Sequence, residues 1–240
     1  YGQTVAGTFA ADCQIVNFTF TGGIGDVVSA MYAGPTSTRR LRMFDPAGAE
    51  IGVTGQGFTV GIFDEVLLSN GTYRISAEAL NDSAVGAFGI SLTELDDALP
   101  IAFNTPVNAA ITQQAEVDLY SFNATAGSFV TVDYATPTTV SGHPDYFARL
   151  DLLRPDNTVA NSNAFCGNFR LDNIAVNQTG IWTVRVRAHE NWSQCGYGFI
   201  PALLTGAYTL TVCTSDSPPT PMTYGQTVAG TFAADCQIVN

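Results

Sequence analysis

Apolar and polar residues alternate with a period of two along much of this chain. Val16, Phe18 and Phe20 fall on one side of a segment, with Asn17 and Thr19 on the other. Tyr73, Ile75 and Ala77 alternate with Arg74, Ser76 and Glu78, and Trp182, Val184 and Val186 with Thr183, Arg185 and Arg187. Tyr208, Leu210 and Val212 alternate with Thr209 and Thr211. Successive side chains of a strand point to opposite faces, so each apolar set covers one face of a sheet. The breaks between sets carry turn formers: Asp45-Pro46-Ala47-Gly48, Arg154-Pro155-Asp156-Asn157, Asn70-Gly71 and the Gly22–Gly25 cluster. No segment sustains the apolar spacing of a helix. The pattern predicts an all-β chain whose antiparallel strands pack as two-sheet sandwiches.

The pattern also recurs at long range. Residues 16–20 (VNFTF) align with 118–122 (DLYSF), and 40–48 with 149–157. Residues 71–75 align with 180–184, and 86–92 with 206–212. The offset grows along the chain, as loop insertions in a second copy would make it. Two homologous domains are predicted, 1–97 and 98–214, followed by a proline-rich and therefore extended linker at 215–223. A second repeat is letter-perfect: YGQTVAGTFAADCQIVN occupies both 1–17 and 224–240. The chain is expected to be one 223-residue unit of a tandem array plus the first strand of the next unit.

The residues at these repeated positions resemble the bacterial pre-peptidase C-terminal (PPC) domain. The resemblance rests on Gly2, Val5 and Gly7, then an aromatic strand (Phe18 and Phe20; Tyr120 and Phe122) and a glycine-led strand (Gly25; Gly127). A D-P-x-G turn (Asp45, Pro46, Gly48), a G-T-Y strand (Gly71, Thr72, Tyr73) and a closing strand (Gly86 and Phe88; Gly206 and Tyr208) complete it. The second copy departs from the pattern, with Arg154-Pro155-Asp156-Asn157 for the turn and Gly180-Ile181-Trp182 for G-T-Y. The resemblance implies two consecutive jelly-roll-like β-sandwich domains. It also implies an accessory role on secreted proteins, with calcium or extracellular polymers as ligands of some members.

Composition narrows the function. A chain that is 46% hydrophobic and 12% charged can bury two cores. Its net charge of -12 leaves nothing to neutralise phosphates, so no nucleic-acid partner is expected. All nine basic residues are arginine, which excludes lysine Schiff-base chemistry and Lys–Asn isopeptide cross-links. No apolar run is long enough to span a membrane in this window.

Cys13, Cys166, Cys195, Cys213 and Cys236 are the cysteines, and Cys236 repeats Cys13. Each unit thus holds an even number, as two disulfides in an oxidising compartment require. Extending the strand alternation puts Cys13 and Cys213 on outward faces, where they can meet only between units. The expected pairs are Cys166–Cys195 and Cys213–Cys236, with Cys13 joined to the preceding unit. A Cys213–Cys236 bridge closes a loop of about two dozen residues and contributes roughly 3 kcal/mol.

Sequons begin at Asn17, Asn70, Asn81, Asn123, Asn177 and Asn191, more than twice the number expected from the Asn, Ser and Thr content. Covalent glycans are expected there. His143 and His189 sit in turn-like and loop-like contexts, and Asp64-Glu65 and Asp96-Asp97 read as solvated carboxylates. No nucleophile–base constellation, zinc-binding helix or phosphate loop is present, so no catalytic residue and no enzyme activity are expected. No cofactor is expected either, apart from calcium held by loop oxygens near Asp26 or Asp45. Trp192 lies in a loop beside a sequon rather than on an inward face.

These features point to a structural repeat unit of a secreted filament, stalk or surface array, extracellular or at the cell surface. Its partners would be neighbouring copies of itself. The alternative is an accessory module that binds polysaccharide or protein for a secreted hydrolase or adhesin. Peptide mapping without reduction is expected to recover Cys166 linked to Cys195 and Cys213 linked to Cys236; free thiols at all four positions would rule the pairing out.

Overall fold

The computed structural model describes residues 2–34, 39–55, 60–80, 85–136, 147–188, 205–215, 223–225 and 227. Among them the chain forms β1 (Gln3–Phe9), β2 (Ile15–Gly22), β3 (Val27–Ala33), β4 (Arg39–Phe44), β5 (Glu50–Val53), β6 (Val60–Val66), β7 (Gly71–Ala79) and β8 (Gly86–Glu94). A 3-10 turn at Leu95–Asp97 and the short β9 (Leu99–Pro100) follow. Then come β10 (Val107–Ile111), β11 (Val117–Ala124), β12 (Phe129–Ala135), β13 (Phe147–Leu153), β14 (Val159–Cys166), β15 (Phe169–Ala175), β16 (Gly180–Ala188) and β17 (Gly206–Ser215). No described residue is α-helical.

The strands before the 3-10 turn pair as β1-β8-β3-β6 and β2-β7-β4-β5. Those after it pair as β10-β17-β12-β15 and β14-β13-β16-β11-β9. Adding nine to each label of the first set reproduces the second, and only the edge pair β9–β11 is parallel. Each half is thus a two-sheet antiparallel sandwich of the same topology. The predicted inward residues Tyr73, Ile75 and Ala77 line the first core together with Tyr32, Leu41, Met43 and Phe88, and Trp182, Val184, Val186, Tyr208, Leu210 and Val212 line the second together with Phe122 and Leu150.

The turns repeat as closely as the strands. Gly25 donates its N–H to the Leu67 carbonyl at 2.8 Å, and Gly127 donates to Val176 at 2.9 Å. The G-T-Y glycine and its counterpart have the same backbone, φ 150 at Gly71 and 151 at Gly180. A Cβ on Gly71 would lie 2.8 Å from Pro46 Cγ, and one on Gly180 would lie 2.9 Å from Pro155 Cγ. Proline turn and glycine strand start therefore lock together in both copies. The second copy's departures are conservative substitutions of mechanism. Asn157 adopts the left-handed conformation of Gly48 (φ 63 against 89), which Asn tolerates better than most residues. Trp182 donates Nε1–H to the Gln178 carbonyl at 3.0 Å, where Tyr73 donates its hydroxyl to Ser69 at 2.7 Å.

One departure is not compensated. In the first sandwich the buried Arg39 donates to the Tyr32 hydroxyl at 2.7 Å and to the Ala87 carbonyl at 2.9 Å. Burial pushes the Tyr32 phenol up to about 12, against the pull of Arg39. In the second sandwich Ala148 stands where Arg39 would be, and the buried Tyr134 hydroxyl has no hydrogen-bond partner among the described residues.

Two cysteine expectations change. Cys13 does not continue the β2 alternation: it lies in the β1–β2 turn at φ 53 and is exposed because of that turn. Cys213 does occupy the face of β17 opposite Tyr208 and Leu210, yet it is fully buried. Alternation assigns a face to a side chain but does not say what covers that face. Cys213 is disulfide-bonded, with its partner outside the described part of the structure. The side chain of Cys166, and Cys195 and Cys236 altogether, lie outside the described residues, as do 216–222 of the linker and 228–240 of the repeated segment.

Gly180→Ala is expected to cost about 1–3 kcal/mol through backbone strain and its clash with Pro155, measured by urea denaturation. Tyr134→Phe is expected to be neutral or to stabilise by about 1 kcal/mol, because it deletes a buried hydroxyl that pairs with nothing. A large loss in Tyr134→Phe would contradict the unpaired hydroxyl.

Candidate functional site

Strand alternation gives each sheet an outer face as well as a core face. On the β1 sheet the outer face presents Ser29, Met31 and Ala33 from β3 and Val60, Ile62 and Asp64 from β6. On the β11 sheet it presents Arg149, Asp151 and Leu153 from β13, Thr183, Arg185 and Arg187 from β16, and Val117 and Leu119 from β11. These two faces meet. Met31, Ala33 and Val60 belong to one buried apolar cluster with Leu119 and Leu153, and Val27 and Ile62 pack against it. The approach extends to the backbone: a Cβ on Gly89 would lie 2.3 Å from the carbonyl oxygen of Gln114.

An ionic cluster sits inside this contact. The Asp151 carboxylate, 1% exposed, accepts from Arg149 Nε at 2.7 Å, Arg187 Nε at 3.0 Å and Arg185 Nε at 3.1 Å. Arg185 then crosses to the first sandwich, donating Nη1–H to Asp64 at 2.6 Å and to Ser29 Oγ at 3.1 Å. Burial opposes the charge of Asp151, but Arg187, Arg185 and Arg149 together hold its carboxyl at about 2. A buried carboxylate among guanidinium groups is tolerable only with such pairing.

A second polar set lies within the second sandwich. Tyr208 donates to Asp118 at 2.5 Å, and the Tyr208 and Tyr120 hydroxyls are 2.8 Å apart. Burial pushes the Asp118 carboxyl up to about 6, with the Tyr208 hydrogen bond pulling it down and Glu116 adding a smaller upward push. A cleft of about 500 Å³ is lined by Leu95, Asp96 and Ala98 from the connector and Ser121, Pro155 and Thr183 from the second sandwich.

The sequence-predicted residues scatter over the surface. Asn17, Asn70, Asn123 and Asn177 are all exposed, on strand faces or in turns; Asn81 and Asn191 lie outside the described residues. So do His143, His189 and Trp192. Asp26 accepts from the Gly23 N–H at 2.7 Å and Asp45 from the Ala49 N–H at 2.7 Å, so each secures its own turn. Among the described residues no three His, Cys, Asp or Glu side chains are grouped to hold a metal ion, and no helix is long and apolar enough to cross a membrane. Of the acidic pairs, Asp64 joins the inter-sandwich cluster. Burial raises the Glu65 carboxyl, with a smaller push from Asp64. The sequence reading missed Asp151, Arg185 and Arg187 as a site. The available signal was four charged residues, Arg149, Asp151, Arg185 and Arg187, at outward positions of two strands whose intervening positions are apolar.

Asp151→Asn is expected to destabilise by about 3–5 kcal/mol, because it leaves Arg185 and Arg187 buried without an acid between them. Wild-type Asp151 contributes stability above the ordinary carboxylate range near pH ~3.9, and that contribution is lost as pH falls toward about 2. Asp118 has the opposite sign. Its folded pKa is raised, so stability declines as pH rises from ~4 to about 6. Asp118→Asn is expected to flatten that decline and add about 1–2 kcal/mol at pH 7, read from denaturation curves across the pH range.

Comparison with known proteins finds a similarity within the second sandwich. Residues 116–188 match the family model described as the bacterial pre-peptidase C-terminal domain. Among solved structures, the chain is similar to the pre-peptidase C-terminal domain of collagenase from Bacillus anthracis. The identity is 18%, covering 48% of this chain and 94% of that one, with a TM-score of 0.31. It is also similar to the CUB1-EGF-CUB2 domain of human MASP-1/3, at 8% identity over 88% of this chain and 99% of that one, TM-score 0.22. No curated protein matches. The match runs from the end of the β10–β11 turn to the last residue of β16, within the second sandwich, and the first sandwich repeats the strand order of the second.

Proposed function

We propose that this chain is a structural repeat unit of a secreted extracellular filament, stalk or surface array, without catalytic activity of its own. The observation that carries the reading is the letter-for-letter recurrence of residues 1–17 at 224–240. A mechanical role needs units that hold their shape, and the contact between the sandwiches supports one. Apolar packing supplies its area, and the Arg185–Asp64 and Asp151 pairs set its register, since a rotated arrangement would leave buried charges unpaired. Exposed sequons at Asn17, Asn70, Asn123 and Asn177 suit a glycosylated surface, and the buried Cys213 suits a disulfide staple to Cys236.

A second reading is favoured by the family match at 116–188: an accessory module that holds a secreted hydrolase or adhesin on a polysaccharide or protein. Electron microscopy of the native material, with the mass of the intact polypeptide, separates the two. The structural reading expects filaments with an axial repeat of one or two sandwich lengths and a mass of several 223-residue units. Isolated globules joined to a catalytic domain would overturn it in favour of the accessory module.

A further inference from the structure

The connector between the sandwiches finishes the edge of the β11 sheet. β9 pairs there in parallel, with Leu99 beside Tyr120 and Pro100 beside Ser121. The Ile101 N–H donates to the Ser121 carbonyl at 2.9 Å, and Ser121 Oγ donates to the Ala98 carbonyl at 3.2 Å. Ile101 belongs to the same buried cluster as Tyr120 and Phe122, and Phe103 meets the Phe122 ring edge-on, 5.4 Å between centroids. The chain then turns through Asn104 at φ 57, whose N–H donates to the Val212 carbonyl at 2.8 Å.

β2 is the counterpart of β11, and among the described residues it pairs only with β7. Phe18 and Phe20 stand where Tyr120 and Phe122 stand, and Thr19 stands where Ser121 does. Tyr120 and Phe122 are buried, at 5% and 4% exposure. Phe18 and Phe20 are only half-buried, although they face a core of the same topology. An open sheet edge beside half-covered aromatic rings is a place where an extended segment can add as a strand.

The repeat identifies such a segment. Gly2 matches Asn104: it is also left-handed, at φ 72, and its N–H donates to the carbonyl of Leu92, the counterpart of Val212, at 2.8 Å. Tyr1 therefore corresponds in sequence to Phe103. Tyr1 and Gly2 recur as Tyr224 and Gly225, and Gly225 is left-handed too, at φ 83. The residues ahead of that second copy are Thr220, Pro221, Met222 and Thr223. Residues 220–225 (TPMTYG) thus run in register with 99–104 (LPIAFN), proline on proline, Met222 on Ile101 and Tyr224 on Phe103. The spacing agrees as well. Four residues, 95–98, separate β8 from β9, and four, 216–219, separate β17 from Thr220.

We propose that residues 220–223 of each unit add as a short parallel strand to the β2 edge of the unit that follows; this rests on the tandem reading above. The Met222 N–H then donates to the Thr19 carbonyl, as Ile101 donates to Ser121, and the Met222 side chain takes the place of Ile101 and covers Phe18 and Phe20. Pro221 fits this position, because the bond uses the N–H of the residue after the proline and not one that proline lacks. The first sandwich of every unit is completed by its predecessor, and only 216–219 remain as free linker.

The test joins a copy of residues 216–223 ahead of Tyr1 of the 240-residue chain and follows amide hydrogen exchange by NMR, in dilute solution where the chain is monomeric. A strand residue directs its N–H and its carbonyl to the same side, so the Thr19 amide reports on the edge and the Ser121 amide, already covered, is the control. Strand addition predicts that Thr19 exchanges several-fold more slowly in the extended chain while Ser121 does not change. Met222→Asp in the added copy is expected to abolish the slowing. Equal exchange at Thr19 with and without the added copy, or equal slowing by the wild-type and Met222→Asp copies, would overturn the strand addition and leave the tandem reading standing. A native polypeptide with the mass of a single unit would overturn the tandem reading, and with it the neighbour that supplies the strand.

Discussion

Asp151 is the charge on which the arrangement of this chain depends. It lies on the outer face of a sheet, where a carboxylate would ordinarily be solvated. Here three arginines from two strands converge on it, and the other sandwich seals it from water. Taking such a group out of water is costly, and the guanidinium groups recover that cost only in one geometry. The crossing bond from Arg185 to Asp64 transmits the constraint to the first sandwich. Apolar contacts such as Met31 against the second sandwich supply area but tolerate sliding; the buried charges do not.

The internal duplication shows which features of the fold are interchangeable. Gly48 and Asn157 serve the same left-handed turn position, and Tyr73 and Trp182 anchor the same loop through different donors. Pro46 with Gly71 and Pro155 with Gly180 are retained because any Cβ would collide with the ring. Polar interior groups diverged further. Arg39 with Tyr32 occupies the first sandwich, and Tyr120, Tyr208 and Asp118 occupy the second. Each is a local solution to placing a tyrosine hydroxyl near a sandwich core, and Tyr134 is the case left unsolved.

The same strand faces bear different loads in the two copies. Arginines occupy the outer face of both the β2 and β11 sheets. In one copy Arg185 and Arg187 meet Asp151 and are covered while Arg149 stays partly exposed; in the other the arginines surround Glu78 and stay partly exposed. A sheet face in a multi-domain chain thus records its neighbour as much as its own core. That is why Thr183, Arg185 and Arg187 read as solvent-facing from alternation alone and are buried in the folded chain.

The sequence by itself determined the all-β class, the strand faces and the internal duplication. These depend on local period and turn chemistry: Tyr73, Ile75 and Ala77 share a face wherever the strand lies, and Asn70-Gly71 breaks it in any context. Only the tertiary structure decided what covers each outer face. It turned Cys13 out of the strand pattern, buried Cys213, and gathered Asp151, Arg185, Arg187 and Asp64 from strands far apart in the chain. The physical reason is that alternation encodes direction relative to one sheet. Burial on the far side depends on a second body whose position is set by long-range packing and charge.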